Sequence, residues 1–359
     1  MKKKHKSFKL LNNKQLPIDE FLEKILYDPE DGYYNKKSPF GKTGDFITAP
    51  TISNLFSEII SIWIVSTWEK LGKPNKFNFV ELGPGDGSFA KVLINTLKKF
   101  PELNNSIKIY LYEKSNFLKD IQKKKINNPK INWINNFNSI KKGPVIFFGN
   151  EFFDAIPIKQ FSYIDKKLYE KYYNISPISG LKEIYKKTTI KNVKIIKSYK
   201  TLKKLKFIEY PKLGFEELNK IINKITQLSG GVLLVDYGYS KHNNKDTLQA
   251  VMKNKKLSMN NLLENIGNTD VTYLVNFNLL KEYFIKNNLK VKKIVTQKFF
   301  LEKMGIIERA KILRNKMDIK QEKYMSYTLM RLLHKDLMGE LFKVIFAYKS
   351  KKSNFLGFK

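Results

Sequence analysis

The stretch Phe77–Ser88, FNFVELGPGDGS, constrains this chain more than any other, because an apolar run leads into a carboxylate and three alternating glycines. Residues 77–80 predict a buried parallel strand, and the apolar spacing over 89–100 predicts a helix that ends before a proline. Gly83, Gly85 and Gly87 therefore lie in a strand-to-helix loop. Glycines at such a loop allow a tight turn and the close approach of a ligand.

The spacing and charge of this loop indicate its ligand. A dinucleotide-binding loop has the order G-x-G-x-x-G and binds a pyrophosphate, whereas the order here is E-x-G-x-G-x-G, with Glu81 ending the strand. Glu81 and Asp86 would repel a phosphate and attract a ligand that carries a sulfonium and an α-ammonium group. The sequence therefore predicts S-adenosylmethionine as the cofactor, bound across residues 81–87.

The next predicted strand, residues 107–112, ends at Glu113. In sheets of this type an acidic residue at that position accepts hydrogen bonds from the ribose hydroxyls of a nucleotide ligand. Glu113 is therefore the candidate ribose contact. The alternative is that Glu113 is a solvated carboxylate at the end of a strand.

A further buried strand, residues 145–148, runs into the string GNEFFDAIP. Because ligands bind at the carboxyl ends of parallel strands, Asn150, Glu151 and Asp154 are predicted to face the same crevice as the glycine loop. A pair of carboxylates suits a guanidinium or amine substrate, since it can bind N–H groups and orient the nitrogen. The alternative is that Asp154 caps a helix and Glu151 pairs with a lysine.

A third acidic strand end follows residues 232–235, at Asp236 and Tyr237. Both residues are candidate substrate contacts, although Asp236 suits a turn almost equally well. No metal is required for this chemistry. With no cysteine and only three histidines in the chain, a thiolate or histidine metal site is not predicted.

The strings identified above resemble those of the MidA-like class I methyltransferases that depend on S-adenosylmethionine, a family that includes a mitochondrial arginine methyltransferase of respiratory complex I assembly. The resemblance runs from Asp28 to about Ile306. Its landmarks are Gly32–Tyr34, Gly44–Pro50 (GDFITAP), Glu81–Gly85, Asn150–Ala155 (NEFFDA), Asp236–Gly238, Thr247–Ala250 and Thr296–Gln297. The family string T-x-H-V-D-F appears here as Thr272–Phe277, TYLVNF, with Leu274 and Asn276 at the two ionisable positions.

The resemblance implies an α/β fold with a Rossmann-like class I sheet, an N-terminal extension, and inserted β-hairpin and lid segments. It implies that residues 1–70 form the extension and cover the cofactor, with Asp45 and Thr48 as cofactor contacts. Residues 71–359 would form the methyltransferase core, with insertions at about 161–228 and 245–275. Hairpin strands are expected within 161–210, inserted into the sheet.

The function implied is methylation of a protein side chain, with arginine favoured and a respiratory complex subunit as one candidate partner. The alternatives are a non-catalytic cofactor-binding assembly factor and, less favoured, a nucleic-acid or small-molecule methyltransferase. The net charge of +34 suggests nucleic acid, but Arg309, Arg314 and Arg331 are the only arginines. Because arginine is the residue that reads phosphates and bases with paired N–H groups, specific nucleic-acid binding is not predicted.

The apolar stretch 55–68 is interrupted by polar residues and predicts a helix packed on the core rather than a membrane span. The alternative for this stretch is a helix that binds a membrane or a partner. The basic N-terminus lacks arginine and lies close to the landmark at Gly32, which leaves little room for a transit peptide. We expect a cytoplasmic, bacterial protein rather than one of the mitochondrial matrix; the sequence leaves a homodimer open.

Overall fold

The computed structural model describes residues 14–36, 49–52, 54–176, 180–252 and 255–359. Asp45 and Thr48, predicted as cofactor contacts, lie outside the described residues. The strands are β1 (Lys14–Pro17), β2 (Phe77–Leu82), β3 (Ile107–Tyr112), β4 (Ile131–Ile134), β5 (Val145–Asn150), β6 (Lys159–Ile164), β7 (Lys167–Ser176), β8 (Gly180–Lys187), β9 (Phe207–Tyr210), β10 (Gly230–Tyr239), β11 (Gln249–Met252), β12 (Lys255–Leu257), β13 (Asp270–Thr272), β14 (Val275–Asn276), β15 (Lys290–Val291), β16 (Val295–Thr296) and β17 (Phe342–Lys349).

The helices connect these strands and cover the sheet. They are α1 (Ile18–Tyr27), α2 (Tyr33–Lys36), α3 (Ala49–Ile52), α4 (Asn54–Lys70), α5 (Ser88–Leu97), α6 (Pro101–Ser106), α7 (Asn116–Ile126), α8 (Ile190–Ser198), α9 (Lys212–Leu228), α10 (Phe277–Lys286), α11 (Gln297–Lys303), α12 (Ile306–Arg314) and α13 (Ile319–Leu333). A 3₁₀ segment spans Met259–Asn265, and a wide turn spans Lys335–Gly339.

The central sheet has the strand order β4-β3-β2-β5-β10-β17-β15, with β14 beside β10 and β16 beside β17. Strands β4, β3, β2, β5 and β10 are parallel, whereas β17 runs antiparallel to β10. Every residue of β2 is buried, as a parallel strand covered on both faces requires. The predicted α/β class I methyltransferase sheet is confirmed.

Two apolar cores lie on opposite faces of this sheet. Adjacent residues of β5 point to opposite sides, so that Phe148 packs in one core and Phe147 in the other. Helix α4, predicted to pack on the core, is buried along most of its length. Its Trp63 makes an edge-to-face contact with Phe346 of β17, with ring centroids 5.0 Å apart. No helix among the described residues is both long and apolar enough to cross a membrane.

A second, antiparallel sheet has the order β1-β7-β6-β9, with β8 paired to β7. It contains the hairpins predicted within residues 161–210, but the expectation that they join the central sheet is wrong. The hairpins lie in the connection between β5 and α9. They cannot be inserted between β5 and β10, because these two strands pair directly with each other. Strand β1 pairs with β7, so the N-terminal extension and the insertion share one sheet.

A third sheet, β12-β11-β13, lies within the predicted insertion at about 245–275. Strand β11 pairs antiparallel with both neighbours. The division of the chain into an extension up to residue 70 and a core beyond it stays a prediction.

Candidate functional site

The carboxyl ends of four neighbouring strands form one edge of the central sheet. In β2, Leu82 lies opposite Tyr112 of β3 and Gly149 of β5, and Val235 of β10 lies opposite Asn150. The residues that follow each strand therefore emerge at the same level. This register brings residues 81–87, Glu113 and residues 150–154 to one edge of the sheet, which we call the crevice.

The glycine loop after β2 has the backbone geometry that its sequence predicts. Gly83, Gly85 and Gly87 all have positive φ, at 60°, 55° and 80°, and Gly87 is the N-cap of α5. The Gly83 N–H donates to the Tyr112 carbonyl at 3.0 Å. The φ of Gly87 favours glycine, and a Cβ atom there would also lie 2.9 Å from Cδ1 of Ile126 on α7, which would have to shift.

Glu81 is the penultimate residue of β2, and only 5% of its surface is exposed. Its Oε2 atom has no hydrogen-bond partner among the described residues. Burial, together with the charges of Asp86 and Glu113, raises the pKa of Glu81 well above its usual value. A buried carboxyl with an unused acceptor at a ligand crevice is suited to bind a cationic group.

Asp86, expected to act on the ligand together with Glu81, has another partner. Its Oδ2 atom forms an ion pair with Lys125 of α7 at 2.6 Å, and its Oδ1 atom accepts from the Ser88 N–H at 3.0 Å. The charge of Asp86 is thus largely neutralised, and its side chain accepts from the first N–H of α5, one residue before the N-cap. Attraction of a cationic ligand at this loop depends on Glu81.

Glu113, at the end of β3, is 8% exposed and is fixed in orientation from both sides. Oε1 accepts from the Ser115 N–H at 2.8 Å, and Oε2 accepts from Gln122 Nε2 at 3.1 Å. Burial raises the pKa of Glu113, while these hydrogen bonds oppose that shift. The carboxylate lies at the end of the strand that follows the glycine loop, and its contact with a ribose stays a prediction.

Gln122 was not identified from the sequence. Its Nε2 atom donates to the Gly85 carbonyl at 2.8 Å as well as to Glu113, and its Oε1 accepts from Trp133 Nε1 at 3.0 Å. The Trp133 bond fixes which end of the amide faces the crevice. The sequence carried a signal, since a polar side chain at this position interrupts the buried stripe of α7 formed by Leu118 and Ile126.

Two tyrosines of the N-terminal extension also reach the crevice and were not predicted. Tyr27 and Tyr34 stack with ring centroids 5.3 Å apart. The Tyr27 hydroxyl donates to the Ala155 carbonyl at 2.8 Å, and the Tyr34 carbonyl accepts from Ser115 Oγ at 3.0 Å. The extension therefore connects the turn that contains Asp154 to the strand end that contains Glu113.

Glu151 follows β5 with an unusual backbone conformation. Its φ of 51° is strained for a residue with a side chain, and its N–H donates to the Val235 carbonyl at 2.9 Å. Asn150 Nδ2 donates to Oε1 at 3.0 Å. Burial and the charge of Asp154 raise the pKa of Glu151 to about 8, opposed by hydrogen bonds from Asn150 and the Ala49 N–H and by the charge of Arg331.

Asp154 is 5% exposed and lies on the turn after Glu151. Its Oδ2 atom accepts a hydrogen bond from the Tyr237 hydroxyl, and its Oδ1 atom has no partner among the described residues. Burial raises the pKa of Asp154 to about 6. The structure thus brings Glu151, Asp154, Asn150 and Tyr237 together.

Asp236, predicted as a substrate contact, holds the Asp154 turn in place. Its Oδ2 atom accepts from the N–H groups of Phe153 and Asp154 at 2.9 and 3.2 Å, and its Oδ1 atom accepts from the Tyr237 N–H at 2.9 Å. Both oxygens are thus occupied by backbone amides. Asp236 lies inside β10, which continues to Tyr239, so the predicted strand end at this residue and the alternative turn role are both wrong. A direct contact of Asp236 with substrate stays a prediction.

A cavity of about 660 Å³ opens beside Glu151 and Tyr237. Leu274 lines this cavity, so an apolar side chain stands where the resembled family has histidine. The other departure has a local structural role, because the Asn276 side chain caps α10 by accepting from the Leu279 N–H at 3.1 Å. The described residues contain no group of three or more histidine or acidic side chains placed to hold a metal ion.

The sequence and the fold are similar to those of known proteins. A model of the S-adenosyl-L-methionine-dependent methyltransferase family matches residues 59–295. The chain is 27% identical to the mitochondrial protein arginine methyltransferase NDUFAF7 of Xenopus tropicalis, over 94% of this chain and 84% of the relative. It is 29% identical to the NDUFAF7 homolog of Caenorhabditis elegans, over 91% and 80% of the two chains.

Among solved structures, a Burkholderia thailandensis protein bound to S-adenosyl-homocysteine has the same fold, with a TM-score of 0.80 and 19% identity. The match covers 96% of this chain and 90% of that one. The family match spans the glycine loop, Glu113 and the Asn150–Asp154 segment. The chain belongs to the family of S-adenosyl-L-methionine-dependent methyltransferases.

Proposed function

We propose that this protein transfers a methyl group from S-adenosylmethionine to a guanidinium nitrogen of an arginine in a protein substrate. The observation that carries the proposal is the carboxyl pair of Glu151 and Asp154. Glu151 follows the end of β5 and lines an open cavity, and Asp154, on the turn after it, is bonded to Tyr237, which lines the same cavity. No lysine forms an ion pair with either carboxyl among the described residues.

The crevice residues fit the cofactor. The glycine loop presents backbone without side chains, Glu81 has an unused acceptor for the α-ammonium group, and Glu113 is oriented for the ribose hydroxyls. When bound, S-adenosylmethionine supplies an electrophilic methyl group on its sulfonium. The assignment of Asp45 and Thr48 as cofactor contacts stays a prediction.

The two carboxyls are prepared for different tasks. Burial raises the pKa of Asp154 to about 6, and burial together with the charge of Asp154 raises the pKa of Glu151 to about 8, so Glu151 keeps its proton to a higher pH. A guanidinium entering the cavity favours ionisation of Glu151, and the pair then binds its N–H groups and orients the reacting nitrogen. Glu151 accepts the proton that this nitrogen releases, for which a pKa near neutrality is suited.

Arginine is favoured over lysine by two observations. Two carboxyls side by side match the planar array of guanidinium N–H groups better than a single ammonium. The relatives in frog and nematode are named as protein arginine methyltransferases. A role in respiratory complex assembly, a homodimeric state and a cytoplasmic, bacterial location stay predictions.

The test is methyl transfer from isotope-labelled S-adenosylmethionine into arginine-containing peptides and proteins, with methylarginine identified by mass spectrometry after hydrolysis. Glu151→Gln should lower turnover by about a hundredfold or more, because the proton acceptor is lost, while calorimetry shows unchanged cofactor affinity. Glu102→Gln, at an exposed position far from the crevice, is the matched control.

If the label is found on lysine, on RNA or on a small molecule, then that group and not arginine is the methyl acceptor. Undiminished turnover by Glu151→Gln would show that the carboxyl of Glu151 has no catalytic role. A folded protein that binds the cofactor and a partner but never turns over would favour the assembly factor.

A further inference from the structure

The cavity beside Glu151 lies between two separate parts of the chain. One wall is the segment 243–249 with Lys256 of β12, and the other is formed by Arg331 of α13 together with residues 338–342. The first wall is held firmly, since Thr247 donates to Glu209 through its hydroxyl at 2.6 Å and through its N–H at 2.9 Å. A polypeptide segment that carries the acceptor arginine has to pass between these walls.

Charge is distributed unevenly along this cavity. Its floor carries Glu151, with Asp154 bonded to Tyr237 next to it, whereas Lys245, Lys256 and Arg331 line its walls. The other charged lining residue, Asp246, is already neutralised by Lys171 at 2.8 Å and accepts from Gln160 at 2.7 Å. The lining therefore changes from acidic at the floor to basic around it.

The three lining cations have no ion-pair partner within the described part of the chain. Arg331 is the best placed of them, because its charge acts on Glu151 and lowers the pKa of that carboxyl. Its guanidinium also lies 5.9 Å from the ring centre of Tyr327, on the same face of α13, which restricts its motion. Met338, Leu341 and Phe342 provide apolar surface beside it.

A cationic target side chain is attracted by the floor but repelled by these walls, in a protein whose net charge is already +34. A neighbouring carboxylate on the substrate would remove this conflict, since it would pair with Arg331 while the arginine reaches Glu151. We propose that the acceptor is a polypeptide segment in which the target arginine is followed or preceded closely by an acidic residue, and that Arg331 selects it. This inference rests on the proposed function.

The experiment measures binding and methyl transfer separately. Short fluorescent peptides carry one arginine flanked by glutamate or, in the matched partner, by glutamine, and their affinity for the protein saturated with S-adenosylhomocysteine is measured at physiological ionic strength. We expect the glutamate peptide to bind about fivefold more tightly, with the same ratio in kcat/KM arising mainly from KM.

Variants assign this preference to one side chain. Arg331→Gln should reduce the ratio to near one, while Arg314→Gln, which removes one positive charge on α12, should leave it unchanged. Replacing the peptide arginine with citrulline should weaken binding in both proteins, because the acidic floor loses its cation.

Equal affinity for the two peptides, or the same loss in both arginine variants, would overturn the inference and leave only the general attraction of a basic protein. An oligonucleotide that displaces the peptide and becomes methylated would overturn it in favour of a nucleic-acid substrate. Acid-selective binding that depends on Arg331, in a protein that never methylates, would sustain the inference and reject the proposed function.

Discussion

Two groups of buried carboxyls in this protein differ in what neutralises them. In the sheet shared by the extension and the insertion, Lys159 bridges Asp19 at 2.9 Å and Glu170 at 2.5 Å. Lys171, itself buried, bridges the partly exposed carboxyls of Asp246 and Glu183. At the crevice, the carboxyls are bonded to backbone amides, amide side chains or a tyrosine hydroxyl, or have an unused oxygen; these are Glu81, Glu113, Glu151, Asp154 and Asp236.

The difference separates a structural role from a functional one. Carboxyls that only stabilise the fold gain from permanent cations, and the pKa values of Lys159 and Lys171 are raised by those partners. Carboxyls that must bind a cationic ligand lose that capacity if a lysine already occupies them, so their pKa values are raised by burial instead. A buried carboxyl without a lysine partner is not confined to the site, because Glu209 of β9 is bonded to Gln160 and Thr247 instead. Among the described residues, the crevice is where several such carboxyls lie close together.

The largest effect on stability is expected from removing Lys159, the cation that neutralises two buried carboxyls. Lys159→Met leaves Asp19 and Glu170 buried without their cation, and we expect it to lower the free energy of unfolding by about 3–5 kcal/mol in urea denaturation. Neutralising both acids as well, in a triple variant with Asp19→Asn and Glu170→Gln, should restore most of that loss. A cost below about 1 kcal/mol for Lys159→Met would show that water replaces the lysine.

An intermediate effect, on cofactor affinity, is expected from changing Gln122, the neutral side chain that is bonded to Glu113. Gln122→Met keeps the volume of the side chain but removes its bonds to Gly85 and Glu113, so affinity for S-adenosylhomocysteine should fall about tenfold. Trp133→Phe, which removes only the bond to Oε1, should have a smaller effect.

A general loss of structure at Gln122 would weaken all analogues alike. If Gln122 acts through Glu113, the loss should be larger for S-adenosylhomocysteine than for an analogue that lacks the ribose hydroxyls. Calorimetry with both ligands distinguishes these outcomes, and an equal loss would reject the positioning role.

The third effect is a pH dependence of stability. Because the pKa of Glu151 is raised to about 8 in the folded state, from about 4.3 in the unfolded state, its favourable contribution below the lower value is lost as pH rises through 8. Relative to wild type, Glu151→Gln should therefore gain stability as the pH rises from about 4 to about 8, whereas Glu102→Gln should not. Parallel curves for wild type and Glu151→Gln would mean that Glu151 is solvated in the folded protein.

Much of the site followed from local sequence. The glycine loop, Glu113 and the Asn150–Asp154 turn were placed correctly at strand ends, because strand-to-helix transitions are encoded by short-range patterns of apolar residues and glycine. The partners of those residues were not predicted. Gln122, on helix α7, donates a hydrogen bond to Gly85 in the glycine loop, and Tyr27 donates to Ala155, which is 128 positions away in the sequence. No local sequence pattern contains either pair.

The sequence by itself determined the central α/β sheet and the order of its acidic strand ends, since hydrophobic periodicity selects strands and parallel strands bring their carboxyl ends to one edge. Only the tertiary structure decided which carboxyls are free to act. Asp86 pairs with Lys125, and Asp236 is bonded to backbone amides, while Glu151 lines an open cavity and Asp154 has one oxygen without a partner among the described residues. The physical reason is that a carboxyl's pKa and its availability depend on burial and on partners distant in sequence, which composition and spacing do not specify.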